Sequence, residues 1–422
     1  MIYKEYKTNT YNIYTVKTNK FKTCHMEIVF RNNIKRNEIT KRSLITELLV
    51  ENSLEFNTRK KMITELENLY NSYFYGVTNR VGSTVLTSFC FDFINPKLVD
   101  EKIDSFIKFP IKSILYPNVT NNEFDVTTFL YVKERVKKDI ESIVEDPKNY
   151  SIDKLLNVMC EDSASSININ GYLSDLNDIN NSNIFDYYKS MLMHDYVDIY
   201  IIGDIDMDNV VDIIKNNFKL NVFKNHNVSY EVVNKQVKKE RIVYDSIDCS
   251  QENICIGLNI RDINRFEKNY VSNIYNMILG GGSLDTKLYE KLRNENSLCY
   301  NCVSLYQKFD GLFLLHTAIN KENEKLAINL MKSALDDMKN GNVTLEEIEN
   351  AKKAIITSLN MSFDNPGRII DNYLFKNLFD LDDLDIRIKE YNKVSKSDIV
   401  NFAKKVSINT ILCLKDDENG KD

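Results

Sequence analysis

Gly341-Asn342-Val343-Thr344-Leu345-Glu346-Glu347-Ile348 has an echo 224 residues upstream, Pro117-Asn118-Val119-Thr120-Asn121-Asn122-Glu123-Phe124. In both stretches a Thr precedes a Glu by three residues. That is the reciprocal capping pattern that opens a helix. A long helical pattern follows each one, Glu123 to Glu145 and Leu345 to Phe363. Self-similarity at a fixed offset is the mark of a duplicated architecture.

Two further pairs keep the same order. Tyr75 to Ile94-Asn95 and Tyr300 to Ile319-Asn320 are equally long, at offset 225, and each reads as two β-rich runs around a turn. A hairpin is the simplest reading. Asn181-Ser182-Asn183-Ile184 opens a helix before the strand Val197 to Ile202. Lys396-Ser397-Asp398-Ile399 opens one before the strand Thr410 to Leu414. Met26 to Phe30 and Asn253 to Asn259 read as strands, Lys41 to Asn52 and Tyr270 to Leu279 as helices. The predicted class is α+β, in two homologous domains, 1–225 and 226–422. Each is a mainly antiparallel β-sheet packed with α-helices.

The 422 residues are 43% hydrophobic and 27% charged, a globular balance. Net charge is −6, with no dense Lys/Arg block. That gives nucleic-acid binding no electrostatic footprint. No apolar run approaches the roughly 20 residues of a membrane span, and no apolar segment follows Met1 as a secretory signal requires. The eight Cys mostly sit in apolar strand-like runs, where free thiols pack as small hydrophobes. The expected compartment is the reducing cytoplasm.

Ile278-Leu279-Gly280-Gly281-Gly282-Ser283, then Lys287-Leu288-Tyr289-Glu290-Lys291-Leu292-Arg293, then Ser297-Leu298-Cys299-Tyr300 is similar to the second domain of insulinase/pitrilysin-like zinc peptidases. Gly171-Tyr172-Leu173 and Val197 to Asp204 resemble the end of that family's first domain. The resemblance runs from about residue 25 to 415. It implies a first domain with HxxEH on a helix, two His binding zinc and the Glu activating water. The four His here are His25, His194, His226 and His316, and no two lie within four residues. By position Leu48 and Asn52 fall where the histidines would stand, with Glu51 between them and Glu141 near the third ligand's place. Leu cannot ligate zinc, and lone carboxylates hold it poorly. No metal or cofactor is expected on this chain.

The resemblance further implies that Arg293 and Tyr300 bind substrate, donating hydrogen bonds to carbonyl oxygens around the scissile bond. With HxxEH lost and Arg293 and Tyr300 kept, the expected chain is a non-catalytic helper subunit of a bacterial branch. Its partners would be a zinc-bearing HxxEH paralogue and an extended peptide. The alternative is an inert peptide-binding or scaffold protein with the peptidase fold.

Other features read more plainly. Gly280-Gly281-Gly282 lacks the Lys-Ser/Thr ending of a phosphate loop. Cys299-Tyr300-Asn301-Cys302 falls on a predicted strand, with side chains to opposite faces, which argues against a redox or metal role. Glu51 and Glu141 read as surface carboxylates on amphipathic helices in preference to remnants of a site, and the four His carry no argument for function, with His316 reading as a packed or edge residue.

Overall fold

A computed structural model of the chain describes residues 1–220, 228, 230, 232, 234, 239–282, 284–379 and 381–417. They form two compact units. The first holds residues 1–141, 167–230 and 363–375, and the second holds 142–166, 231–362 and 376–422. The expected division at 225/226 and the end of the Gly-rich turn at Ser283 lie outside the described residues. The units are not a simple cut of the chain, because 142–166 belongs to the second and 363–375 to the first.

In the first unit the strands are β1 (Ile2–Lys7), β2 (Asn12–Lys17), β3 (Thr23–Asn33), β4 (Tyr73–Val81), β5 (Thr84–Ile94) and β6 (Tyr196–Gly203). Their order is β1-β2-β6-β3-β5-β4, antiparallel except for the β2/β6 pair. The second unit holds β7 (Arg241–Ile247), β8 (Glu252–Ile260), β9 (Cys302–Gln307), β10 (Leu312–Ile319) and β11 (Val406–Asp416). Their order is β9-β10-β8-β11-β7, antiparallel except for β11/β7. Matching β2, β6, β3, β5, β4 with β7, β11, β8, β10, β9 superposes the two orders, including the position of the parallel pair. The duplication is therefore topological, and β1 is an addition at one edge.

Helices give each sheet its layer. In the first unit these include α1 (Ile39–Glu51), α2 (Arg59–Asn68), α3 (Ile103–Leu115) and α4 (Val126–Glu141). Phe74, Phe91 and Phe93 of the sheet stack or edge against Phe106 and Phe109 of α3. The helix α5 (Pro147–Met159) lies on the other side of the second sheet, where Ser151 Oγ is 3.1 Å from Cys255 Sγ. There Leu155 packs with Cys255, Leu314 and Leu412. The second sheet's main layer uses α6 (Ser272–Leu279), α7 (Glu324–Asn340), α8 (Leu345–Ser362) and α10 (Lys396–Ala403). In sequence α9 (Pro366–Phe379) follows α8, and its residues up to Phe375 belong to the first unit.

The capping signals come out unequally. Thr344 N donates to Glu347 Oε2 at 2.7 Å and Glu347 N to Thr344 Oγ1 at 3.1 Å, the reciprocal box that opens α8. Upstream, Thr120 and Glu123 do not cap. They pair in a two-residue ladder around Asn121 and Asn122, whose φ values of 55° and 63° are left-handed. Asn tolerates that conformation better than most residues. The helix instead starts at Val126, with Thr128 N donating to Asp125 Oδ1.

Candidate functional site

Glu47 and Glu51 are four apart on α1, so both carboxylates leave the same face. Arg135 reaches them from α4, where it borders the inward stripe of Val132 and Val136. Its Nη2 is 2.5 Å from Glu47 Oε2 and its Nη1 2.5 Å from Glu51 Oε1. The second oxygen of Glu51 pairs with Arg59 at the start of α2. Glu51 is 3% exposed, so it is no surface carboxylate, contrary to the sequence reading. Its charge is tolerable in the interior because both oxygens accept from guanidinium groups. Burial pushes the Glu47 carboxyl upward, opposed by the Arg135 charge. These groups line a cleft of about 610 Å³ that also touches Tyr75 and Gly76.

Leu48 and Asn52 flank this cluster. Leu48 is buried, and Asn52 donates through Nδ2 to Thr128 Oγ1 at 2.8 Å. Glu141 ends α4 in a half-exposed pair with Lys137 at 3.8 Å, so it takes no part in the cluster. The residues do not fit a zinc ion here. Among the described residues no imidazole joins the cluster, the Glu51 oxygens are taken by Arg59 and Arg135, and two fixed cations stand where a third would have to enter. An Arg at a helix border has many structural uses, so only the packing discloses its partners.

In the second unit, Arg293 and Tyr300 do meet. Arg293 follows Lys287–Tyr289, whose N-cap Thr286 accepts from Tyr289 N. Its Nη1 donates to the Tyr300 carbonyl at 2.5 Å, and its guanidinium carbon lies 4.6 Å from the Tyr300 ring centre and 5.1 Å from that of Tyr289. Cation–π contact explains that stacking. Tyr300 is 81% exposed. Ahead of them, a Cβ on Gly280 would lie 2.9 Å from Ser304 N, so the turn is held close against β9.

The Cys299–Cys302 reading needs correction. The strand begins only at Cys302, so Cys299 lies ahead of it and strand alternation does not set the two thiols on opposite faces. The neighbouring Cys302 thiol is the largest influence drawing the Cys299 thiol below its usual range, against burial and with help from Thr317 and Arg293. Sequence reasoning also passed over His25. It stands with Glu27 and Cys90 on the first sheet, a grouping that only the β3/β5 register brings together.

Comparison with known proteins agrees with this architecture. Residues 178–355 match the family described as Peptidase M16 inactive domain. The probable inactive metalloprotease YmfF of Bacillus subtilis (strain 168) is 23% identical over 416 residues, covering 96% of this chain and 95% of that one. A conserved protein from Enterococcus faecalis V583 has the same fold, with a TM-score of 0.91, 22% identity and 98% of both chains covered. A peptidase M16 inactive domain structure from Pseudomonas fluorescens gives a TM-score of 0.80 at 14% identity, again over 98% of both. Over its whole length the chain is thus similar to proteins described as inactive members of the M16, insulinase-like peptidases, and it shares their fold. None of its described helices is long and apolar enough to cross a membrane.

Proposed function

We propose that this chain is the non-catalytic subunit of a heterodimeric zinc metallopeptidase. The partner is an HxxEH-bearing paralogue that holds the zinc, and this chain supplies part of the surface that binds an extended peptide. The observation that carries the reading is one of contrast. Glu51, which the family resemblance puts beside the histidine positions, is held by Arg59 and Arg135, while Arg293 and Tyr300 stand at an accessible turn.

A guanidinium and a phenol beside a scissile carbonyl stabilise the negative charge that develops on its oxygen. Arg293 is turned inward in this state, bonded to its own chain's Tyr300 carbonyl. Substrate would replace that acceptor with a peptide carbonyl. The exposed Tyr300 ring leaves room for the exchange.

Reconstitution tests this. Mixed with its HxxEH paralogue, the chain is expected to give peptide hydrolysis that neither protein shows alone. Losing one such donor typically costs about 10²–10³ in kcat, so Arg293→Ala should lower turnover of the pair on that scale, with Tyr300→Phe a smaller loss. A stable complex without turnover would instead identify an inert scaffold of the same fold.

A further inference from the structure

The other face of the first sheet carries chemistry that neither the arginine-closed position nor the Arg293/Tyr300 turn uses. Side chains two apart on a strand share a face. His25 and Glu27 of β3 therefore point together, as do Cys90 and Asp92 of β5. The register sets His25 opposite Asp92 and Glu27 opposite Cys90, which makes a two-by-two square. His25, Glu27 and Cys90 are only 3–7% exposed.

The square is arranged as a ligand set. The His25 Nδ1–H donates to Asp92 Oδ1 at 2.7 Å. A carboxylate on one ring nitrogen fixes the tautomer and leaves the lone pair on the other. That other atom, Nε2, is buried and has no hydrogen-bond partner among the described residues. It lies 4.0 Å from Glu27 Oε2. A His25 ring nitrogen, a Glu27 oxygen and Cys90 Sγ all lie within 4.8 Å of one another, and Nε2 is the nitrogen that Asp92 leaves open. Among the described residues no Lys or Arg forms an ion pair with Glu27 or Asp92. Asp371 of α9 adds a third carboxyl, near enough for its charge to act against Glu27. A position this rich in negative charge and short of cations is costly to bury.

We propose that His25 Nε2, Cys90 Sγ and a Glu27 oxygen bind one zinc ion, with the fourth position filled by water or by Asp371. Mixed imidazole, thiolate and carboxylate ligation is zinc chemistry, whereas magnesium and calcium take oxygen ligands. Tetrahedral bonds of about 2.0–2.3 Å place ligand atoms about 3.3–3.8 Å apart. The three atoms need close in by only about 1 Å, a side-chain adjustment between paired strands. With its ligands this deeply buried, the ion holds β3 to β5 under the start of α9.

Cobalt titration of the reduced, metal-stripped full chain tests the assignment. The expected result is one Co²⁺ per chain, a thiolate-to-cobalt charge-transfer band, and displacement of cobalt by Zn²⁺. Cys90→Ser should abolish the band while far-ultraviolet circular dichroism is unchanged. Glu27→Gln should keep the band but weaken affinity at least tenfold, and Asp92→Asn should weaken it about 10–100-fold, as loss of an outer-shell partner does. No charge-transfer band in the wild-type chain would overturn the proposal and leave His25 as an imidazolium between carboxylates. A band that survives Cys90→Ser would also overturn it, by placing the cobalt on other thiols.

Discussion

The ladders β3/β5 and β8/β10 occupy equivalent places in the two sheets, and each buries one histidine. His316 Nε2 lies 2.8 Å from the Asn253 side-chain oxygen, and burial pulls its pKa down to about 4. His25 is also opposed by burial, but Asp92, with Cys90 and Glu27, outweighs it and raises the pKa well above the usual value. One backbone pattern thus holds two opposite electrostatic environments. The difference is carboxylates against an amide. It shows that the duplication fixed strand order while the chemistry of each copy was set by a few side chains.

Altering the charges sharpens the contrast. The largest effect is expected at the cluster of Glu47, Glu51, Arg59 and Arg135. Arg135→Met leaves the buried Glu51 with Arg59 alone and strips Glu47 of its partner. Breaking buried pairs costs about 3–5 kcal/mol, so unfolding in urea should show a loss of about that size. No loss would mean the carboxylates are solvated or protonated.

Metal removal comes next. If zinc occupies the His25 square, chelation should lower stability by about 2.7 kcal/mol relative to zinc at a hundred times its dissociation constant. The Cys90→Ser chain should show no such response.

Acid should then act on the second sheet. Unfolded His316 binds a proton near pH 6.5 while the folded side chain waits until about 4. Between those values the unfolded state holds more protons, so stability falls as pH falls. At pH 5 the penalty is about 2 kcal/mol, and His316→Gln should remove it. A pH profile shared by wild type and variant would place the acid sensitivity elsewhere.

The smallest effect should be at the Arg293 turn. Tyr300→Phe alters an exposed ring edge and should change stability by less than about 0.5 kcal/mol. A larger loss would give the turn a structural role and weaken the case for peptide binding.

Much of the fold was legible in the sequence because it is written in local signals. Both hairpins, the strands Val197 to Ile202 and Thr410 to Leu414, and the Thr344/Glu347 cap lie where periodicity and capping chemistry put them. The Thr120/Glu123 pattern misled because two left-handed Asn residues turn the chain before a helix can begin. The absence of a histidine metal motif was equally plain. What filled its place was not, since Arg135 is 84 residues from Glu51 and meets it only through the packing of α1 on α4. The square around His25 was hidden for the same reason. His25-x-Glu27 and Cys90-x-Asp92 are unremarkable dipeptide spacings until the strand register sets them face to face.

The central claim is that the first unit holds no hydrolytic metal centre. It is tested most directly by the hydrolysis of a mixed peptide library by the isolated chain in zinc-containing buffer. The account predicts no turnover above buffer, whether or not zinc is bound at the sheet. Turnover that disappears in Glu51→Gln would contradict it, because it would make Glu51 a working base and not a carboxylate held by two arginines.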